Sequence, residues 1–213
     1  MKRWLAISAG VAAWVTLGLV PAFGAIAGAP HDLSDNGYSK AEICIFCHTP
    51  HHSRIAELDI KLWSHKTTVG PYQLYGGGLT SASTPVGQPG KNSKICLSCH
   101  DGTVAVDAMG STIGDPVGTE RINEGQWAAK PGLYIGTDLR NDHPVGVPLT
   151  VAAGKFKIPT GGSSGGMKLY PNNVSGDTVE CASCHGVHGQ TAFGKYLKVT
   201  MAGSALCLNC HIK

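Results

Sequence analysis

Every cysteine in this chain of 213 residues belongs to one pattern, C-x-x-C-H, and the pattern occurs four times. The copies are Cys44–Cys47 with His48, Cys96–Cys99 with His100, Cys181–Cys184 with His185, and Cys207–Cys210 with His211. This is the attachment motif of c-type haem. Two thiols form thioethers with the two vinyl groups of one macrocycle, and the adjacent histidine reaches the iron as its proximal ligand. A zinc ribbon also uses paired cysteines, and a secreted disulfide scaffold also uses eight of them. Neither needs a histidine after every second cysteine. With 10 histidines in the chain, chance placement at all four positions has odds on the order of one in a hundred thousand. A thioredoxin-like redox pair needs only one such motif. The expected cofactor is haem c, four per chain, held by Cys44, Cys47, Cys96, Cys99, Cys181, Cys184, Cys207 and Cys210.

Composition agrees with a core that is not made of side chains. Glycine (29) and proline (12) are abundant, while aromatic residues make up 7% and charged residues 15%. That mixture argues against a helical bundle and predicts turns and short elements. It is not the composition of a disordered chain, because 42% is hydrophobic and the net charge is small. The expected fold is therefore mostly irregular, with a few short helices and short β-hairpins around a haem stack.

The first 27 residues read as a cleaved export signal. Lys2 and Arg3 precede an uncharged apolar run from Trp4 to Val20, and Ala25-Ile26-Ala27 fits the small-residue cleavage pattern. The run is short for a membrane span, so no stable span is expected after cleavage. Loss of Lys2 and Arg3 lowers the net charge from +3 to +1, which is no basis for nucleic-acid binding. Eight ionised haem propionates would shift that to roughly −7. Residues 28–213 are expected to form one domain. Residues 28–100 carry the first haem pair, 101–180 a loop and short-strand insertion, and 181–213 the second pair. A Gly/Ser/Pro-rich loop is expected over Gly76–Gly90, a weakly amphipathic helix over Ile55–Lys66, and a hairpin pairing Phe156–Ile158 with Met167–Tyr170.

The second ligand of each iron decides whether the chain is a wire or a catalyst, since filled sites favour electron transfer. Six histidines lie outside the motifs: His31, His51, His52, His65, His143 and His188. His51 and His188 each follow a motif histidine by three residues. Three residues reach about 10 Å at most, too little to round a macrocycle, so each serves a haem other than its neighbour's. His65 lies on the apolar side of the expected helix. His143 precedes Pro144, which fixes an extended loop. His31 stands close to the mature N-terminus, and His52 is the spare beside His51. The expected iron ligands are His48, His100, His185 and His211 on one side, with His31, His51, His65, His143 and His188 as candidates for the other. Tyr72, Tyr75, Trp63, Trp127, Tyr134 and Tyr170 are expected to pack on haem faces.

The runs His31-Asp32-Leu33-Ser34, His48-Thr49-Pro50-His51, Leu62-Trp63-Ser64-His65, Asp142-His143-Pro144-Val145-Gly146 and Cys181–His188 resemble exported multihaem c-type cytochromes of metal-reducing bacteria. The chain is most similar to the OmcE-like tetrahaem cytochromes, which polymerise outside the cell. The resemblance implies bis-histidine haems, scarce regular structure, and one axial histidine supplied by a neighbouring subunit; by position that histidine is His31. It implies an electron carrier rather than an enzyme, at the cell surface or beyond, with other cytochromes and an extracellular acceptor as redox partners and its own copies as polymer partners. The alternatives are a soluble periplasmic shuttle and a multihaem reductase with one open iron.

Overall fold

A computed structural model describes residues 26–34, 42–51, 53, 60–75, 87–110, 118–149, 155–157, 160–172, 176–188 and 193–213. The apolar N-terminal run, His52, residues 55–59 of the expected 55–66 helix and most of the 76–90 loop lie outside the described residues; the rest of that segment, 60–66, is not helical but turn and extended backbone, bridged at Trp63 to His48 and at His65 to Met109.

Within these segments the chain is loop-rich, as its glycine and proline content requires. The helices are α1 (Lys91–His100), α2 (Gly125–Ala128), α3 (Cys181–Cys184) and α4 (Ala205–Leu208), with 3-10 turns at Ile43–Phe46 and Ala202–Ser204. The strands are β1 (Val147–Pro148), β2 (Ser163–Ser164), β3 (Met167–Lys168), β4 (Tyr170–Asn172) and β5 (Gly176–Val179). One sheet runs β1-β5-β4, all antiparallel, and β2 pairs with β3 as a separate hairpin. No helix among the described residues is long and apolar enough to cross a membrane.

Among the described residues, buried apolar side chains gather in three small clusters. Tyr72, Leu97 and Leu139 form one, Val106, Ile122 and Trp127 a second, and Leu149, Leu169 and Val179 a third. Leu97 lies inside the second motif, and Cys210 of the fourth motif packs on the third cluster.

The expected hairpin near residue 160 is shorter and differently partnered. The turn is Gly165-Gly166, both with positive φ, which suits a two-residue hairpin. Phe156 does not join it. Phe156 instead bridges antiparallel to His211, so this segment supports the fourth motif. Gly165 has a second constraint, because a Cβ there would lie 1.8 Å from the Asn209 carbonyl oxygen. The hairpin tip therefore sits directly on the backbone of the last motif. Gly165→Ala should lower the stability of the folded protein by at least about 2 kcal/mol, from left-handed backbone strain plus the clash. A denaturant midpoint equal to wild type would show that the hairpin does not press on Asn209.

Candidate haem sites

Each C-x-x-C-H folds as one helical turn. The histidine N–H donates to the carbonyl of the first cysteine in His48 (2.8 Å), His185 (3.0 Å) and His211 (2.9 Å), and the second motif ends α1. A turn of this kind brings positions i, i+3 and i+4 to one side. Both sulfurs and the imidazole thus start from a common face. No disulfide joins any of the eight cysteines.

Three of the four motif histidines are then held by the same backbone clamp. Thr49 N–H donates to Leu62 O and Ser64 N–H to Cys47 O, both at 2.9 Å, around His48 and Trp63. Gly186 N–H donates to Tyr196 O and Lys198 N–H to Cys184 O, again at 2.9 Å, around His185 and Leu197. Ile212 N–H donates to Lys155 O (2.9 Å) and Lys157 N–H to Cys210 O (2.8 Å), around His211 and Phe156. Each is a non-hydrogen-bonded antiparallel pair, the kind in which facing side chains come closest. A large apolar side chain therefore stands beside each imidazole. The Phe156 and His211 rings are 4.8 Å apart, and Trp63 meets His48 edge-on at 6.1 Å. His100 is held differently, by Ile135 N–H on its carbonyl at 2.8 Å.

Three of the remaining histidines are brought to motif histidines from other segments. His31 faces His100, with ring centres 6.1 Å apart; His188 faces His48 at 5.9 Å; His143 faces His211 at 6.3 Å. An imidazole nitrogen binds a first-row metal at about 2 Å and its ring centre lies about 1 Å further, so imidazoles on opposite sides of one iron have centres about 6 Å apart. The three pairs have that spacing.

Ring hydrogen bonds point the same way. Nδ1 of His100 donates to Leu133 O (2.7 Å), Nδ1 of His185 to Lys195 O (2.8 Å) and Nδ1 of His143 to Pro144 O (3.0 Å). A carbonyl can only accept, so Nε2 keeps its lone pair, as a metal ligand requires. Burial lowers the pKa of His48 and His100, and it pushes His31 down to about 4, assisted by the nearby His100, His185 and His188. These imidazoles are neutral at physiological pH. Nδ1 of His31, Nδ1 of His48 and Nε1 of Trp63 are buried without a hydrogen-bond partner. Such orphans are rare; two lie on rings of the imidazole pairs and the third on Trp63, beside His48. The residues present fit c-type haem.

Two candidates stand apart. His51 is exposed, and His185 faces no second imidazole at axial spacing among the described residues. His65 is fully buried. Its Nδ1 meets Lys66 O (2.7 Å), and its Nε2 meets Ala105 O (3.0 Å) and Val106 O (3.2 Å), with Cys99 Sγ at 3.5 Å. The clamp around the motif histidines recurs here, since Lys66 N–H donates to Ala108 O and Gly110 N–H to Ser64 O, around His65 and Met109. His31, placed by position at a subunit boundary, is instead folded within its own chain. Its N–H donates to the Tyr196 hydroxyl (3.0 Å), and the two rings are 4.8 Å apart.

Sequence reasoning missed several residues. Tyr196 was not among the aromatic candidates. Asp101, directly after His100, is buried and accepts from Tyr72 OH, Thr103 N–H and Thr103 OH, each at 2.7 Å. Tyr72 thus serves a carboxylate, and Trp127 packs with Val106 and Ile122 under the Lys130 ammonium. Burial raises the Tyr72 phenol pKa, and the Asp101 carboxylate that accepts its proton adds to the effect. A tyrosine ordinarily ionises near pH 10. Unfolding above that pH therefore releases a proton that the folded chain retains, and stability falls as pH rises. Tyr72→Phe should cost about 1–2 kcal/mol at neutral pH and flatten this alkaline decline. Unfolding curves at pH 7 and above pH 10 check both, and an unaltered alkaline slope counts against the assignment.

Residues 173–213 match the family model described as the doubled CXXCH motif. No curated protein matches the chain. The matched segment spans the third and fourth motifs, with the β5 strand and α3 and α4 helices that position them. It supports reading the chain as a haem-binding multihaem c-type cytochrome, an electron carrier whose partners are other redox proteins.

Proposed function

We propose that the chain is a tetrahaem electron carrier, with one haem c on each C-x-x-C-H and histidine on both sides of the irons. The observation that carries this reading is the set of three imidazole pairs, each joining a motif histidine to one from a remote segment at axial spacing. When bound, haem supplies a one-electron ferric/ferrous couple whose potential follows its axial ligands. The chain does the rest. His100 with His31, His48 with His188, and His211 with His143 would hold three of the irons as imidazole pairs. The carbonyls of Leu133, Lys195 and Pro144 fix the tautomers, and Trp63, Leu197 and Phe156 fill the space beside the proximal rings.

In the same reading the protein is exported by its N-terminal segment and self-associates into an extracellular filament that passes electrons to an acceptor outside the cell. Two observations favour association over a solitary shuttle. His185 lacks a second imidazole at axial spacing among the described residues, and His51 is exposed with none facing it. His51 of a neighbouring copy completes the fourth pair.

Haem-stained denaturing gels and a haemochrome count should give four covalent haems per chain, and the ferric holoprotein should be low-spin throughout. His31→Ala, His143→Ala and His188→Ala should each turn one haem high-spin and leave the other three unchanged. Fewer than four haems, or three variants that all stay low-spin, would overturn the assignments. Electron microscopy of material sheared from producing cells should show filaments that His51→Ala abolishes. Discrete particles alone would reject the polymer.

A further inference from the structure

Glu180 is 1% exposed and lies one residue before Cys181. A buried carboxylate is costly unless its oxygens are satisfied. Here the donors come from two helices at once. The Gly90 N–H, at the start of α1, donates to both carboxylate oxygens (3.2 and 3.1 Å), and the hydroxyl of Ser93, in the first turn of α1, donates to Oε2. The Ser183 N–H, in α3, donates to the Glu180 carbonyl at 2.8 Å and is shared with the same carboxylate in a capping box, while the Ser183 hydroxyl accepts from Glu180 N–H at 3.1 Å. Thr178 of β5 donates to Oε1 at 2.7 Å. Ser93, itself 0% exposed, also accepts from the Cys181 N–H at 2.9 Å. One carboxylate therefore caps the N-termini of α1 and α3, which are 90 residues apart in sequence at Gly90 and Glu180.

The two capped helices carry the second and third motifs. Where they meet, the Cys181 N–H lies on the Ser93 hydroxyl, and Ser93 precedes Cys96 by three residues on α1. The segments that carry the first thioether positions of two different haems thus join where Glu180 ties them. An electron passing between the second and third haems would cross there, and its rate would depend on how the two macrocycles are placed. Every donor around the carboxylate is an N–H or O–H, so an amide in its place would turn an NH₂ towards a donor. Glutamine is not an equivalent residue at this position.

We infer that Glu180 is a positioning residue that sets the mutual placement of the second and third haems by capping both of their helices. This rests on the tetrahaem reading above. Holoproteins carrying Glu180→Ala, Glu180→Gln and Ser93→Ala would be compared with wild type by Soret circular dichroism, which reads coupling between neighbouring haems. Covalent haem and spin state would be measured on the same samples. The expected result is four haems, unchanged spin state, and loss of the wild-type couplet in both Glu180 variants, with partial loss in Ser93→Ala. Asp138→Asn, in an exposed pair with Arg140, should leave the couplet intact. An unchanged couplet in haem-replete Glu180→Gln and Ser93→Ala would overturn the inference, even if Glu180→Ala fails to accumulate. Should the wild type itself carry no covalent haem, the function proposed above falls. The double cap is then read by exchange protection of the Gly90 and Ser183 amides, which Ser93→Ala should lower together, and protection lost at only one of them would overturn it.

Discussion

A ligand imidazole is only as well placed as the backbone beneath it, and in this chain that backbone is held by main-chain hydrogen bonds to distant segments. The motif turn fixes the two sulfurs and the histidine relative to one another. The two-bond clamp then fixes that turn relative to a crossing segment at Trp63, Leu197 or Phe156. Main-chain bonds suit this task because they do not depend on side-chain rotamers, and each turn carries unsatisfied groups that must find partners anyway. Short elements are sufficient for that reason. A four-residue helix has little stability of its own, but α3 needs only to present two thiols and one imidazole. The clamp, the cap and the adjoining apolar cluster hold it in place.

Among the described residues the clusters of buried apolar side chains are small and separate, a thin core by ordinary standards. Their locations give the reason. One includes Leu97 from the second motif, and another takes in Cys210 from the fourth. The clusters brace the attachment points, and four apolar macrocycles would supply the remaining interior.

The four motifs, the loop-rich character and the pool of spare histidines were legible in the sequence because each depends on local composition or spacing. The partners of those histidines were not. His188 meets His48, and His31 meets His100 and Tyr196, pairings set by how distant segments cross. The three-residue tether showed that His188 could not reach the far side of its own motif's haem, but no spacing rule names the motif it does face. Glu180 was invisible for a related reason. A single acidic residue before a cysteine looks like an ordinary surface charge, and its donors Gly90 and Ser93 look like parts of an unrelated turn. Phe156 was assigned to the wrong partner because an apolar residue near a glycine turn suggests a hairpin, whereas its backbone was needed by His211.

These contacts also change the meaning of the repeat. Two doubled units in sequence suggest two modules, each closing its own pair of haems. The His48–His188 pair runs from the first motif to the segment after the third, and the Glu180 cap binds the second motif's helix to the third's. Neither unit thus satisfies its own ligands and caps. A cut anywhere between residues 100 and 180 would leave His48 without its facing imidazole and Gly90 without its acceptor. The four motifs supply the attachment turns, and the crossing contacts place them relative to one another. For electron transfer that placement is the decisive property, because an attachment motif fixes only where a haem is bonded, while passage between haems depends on how neighbouring ones are set.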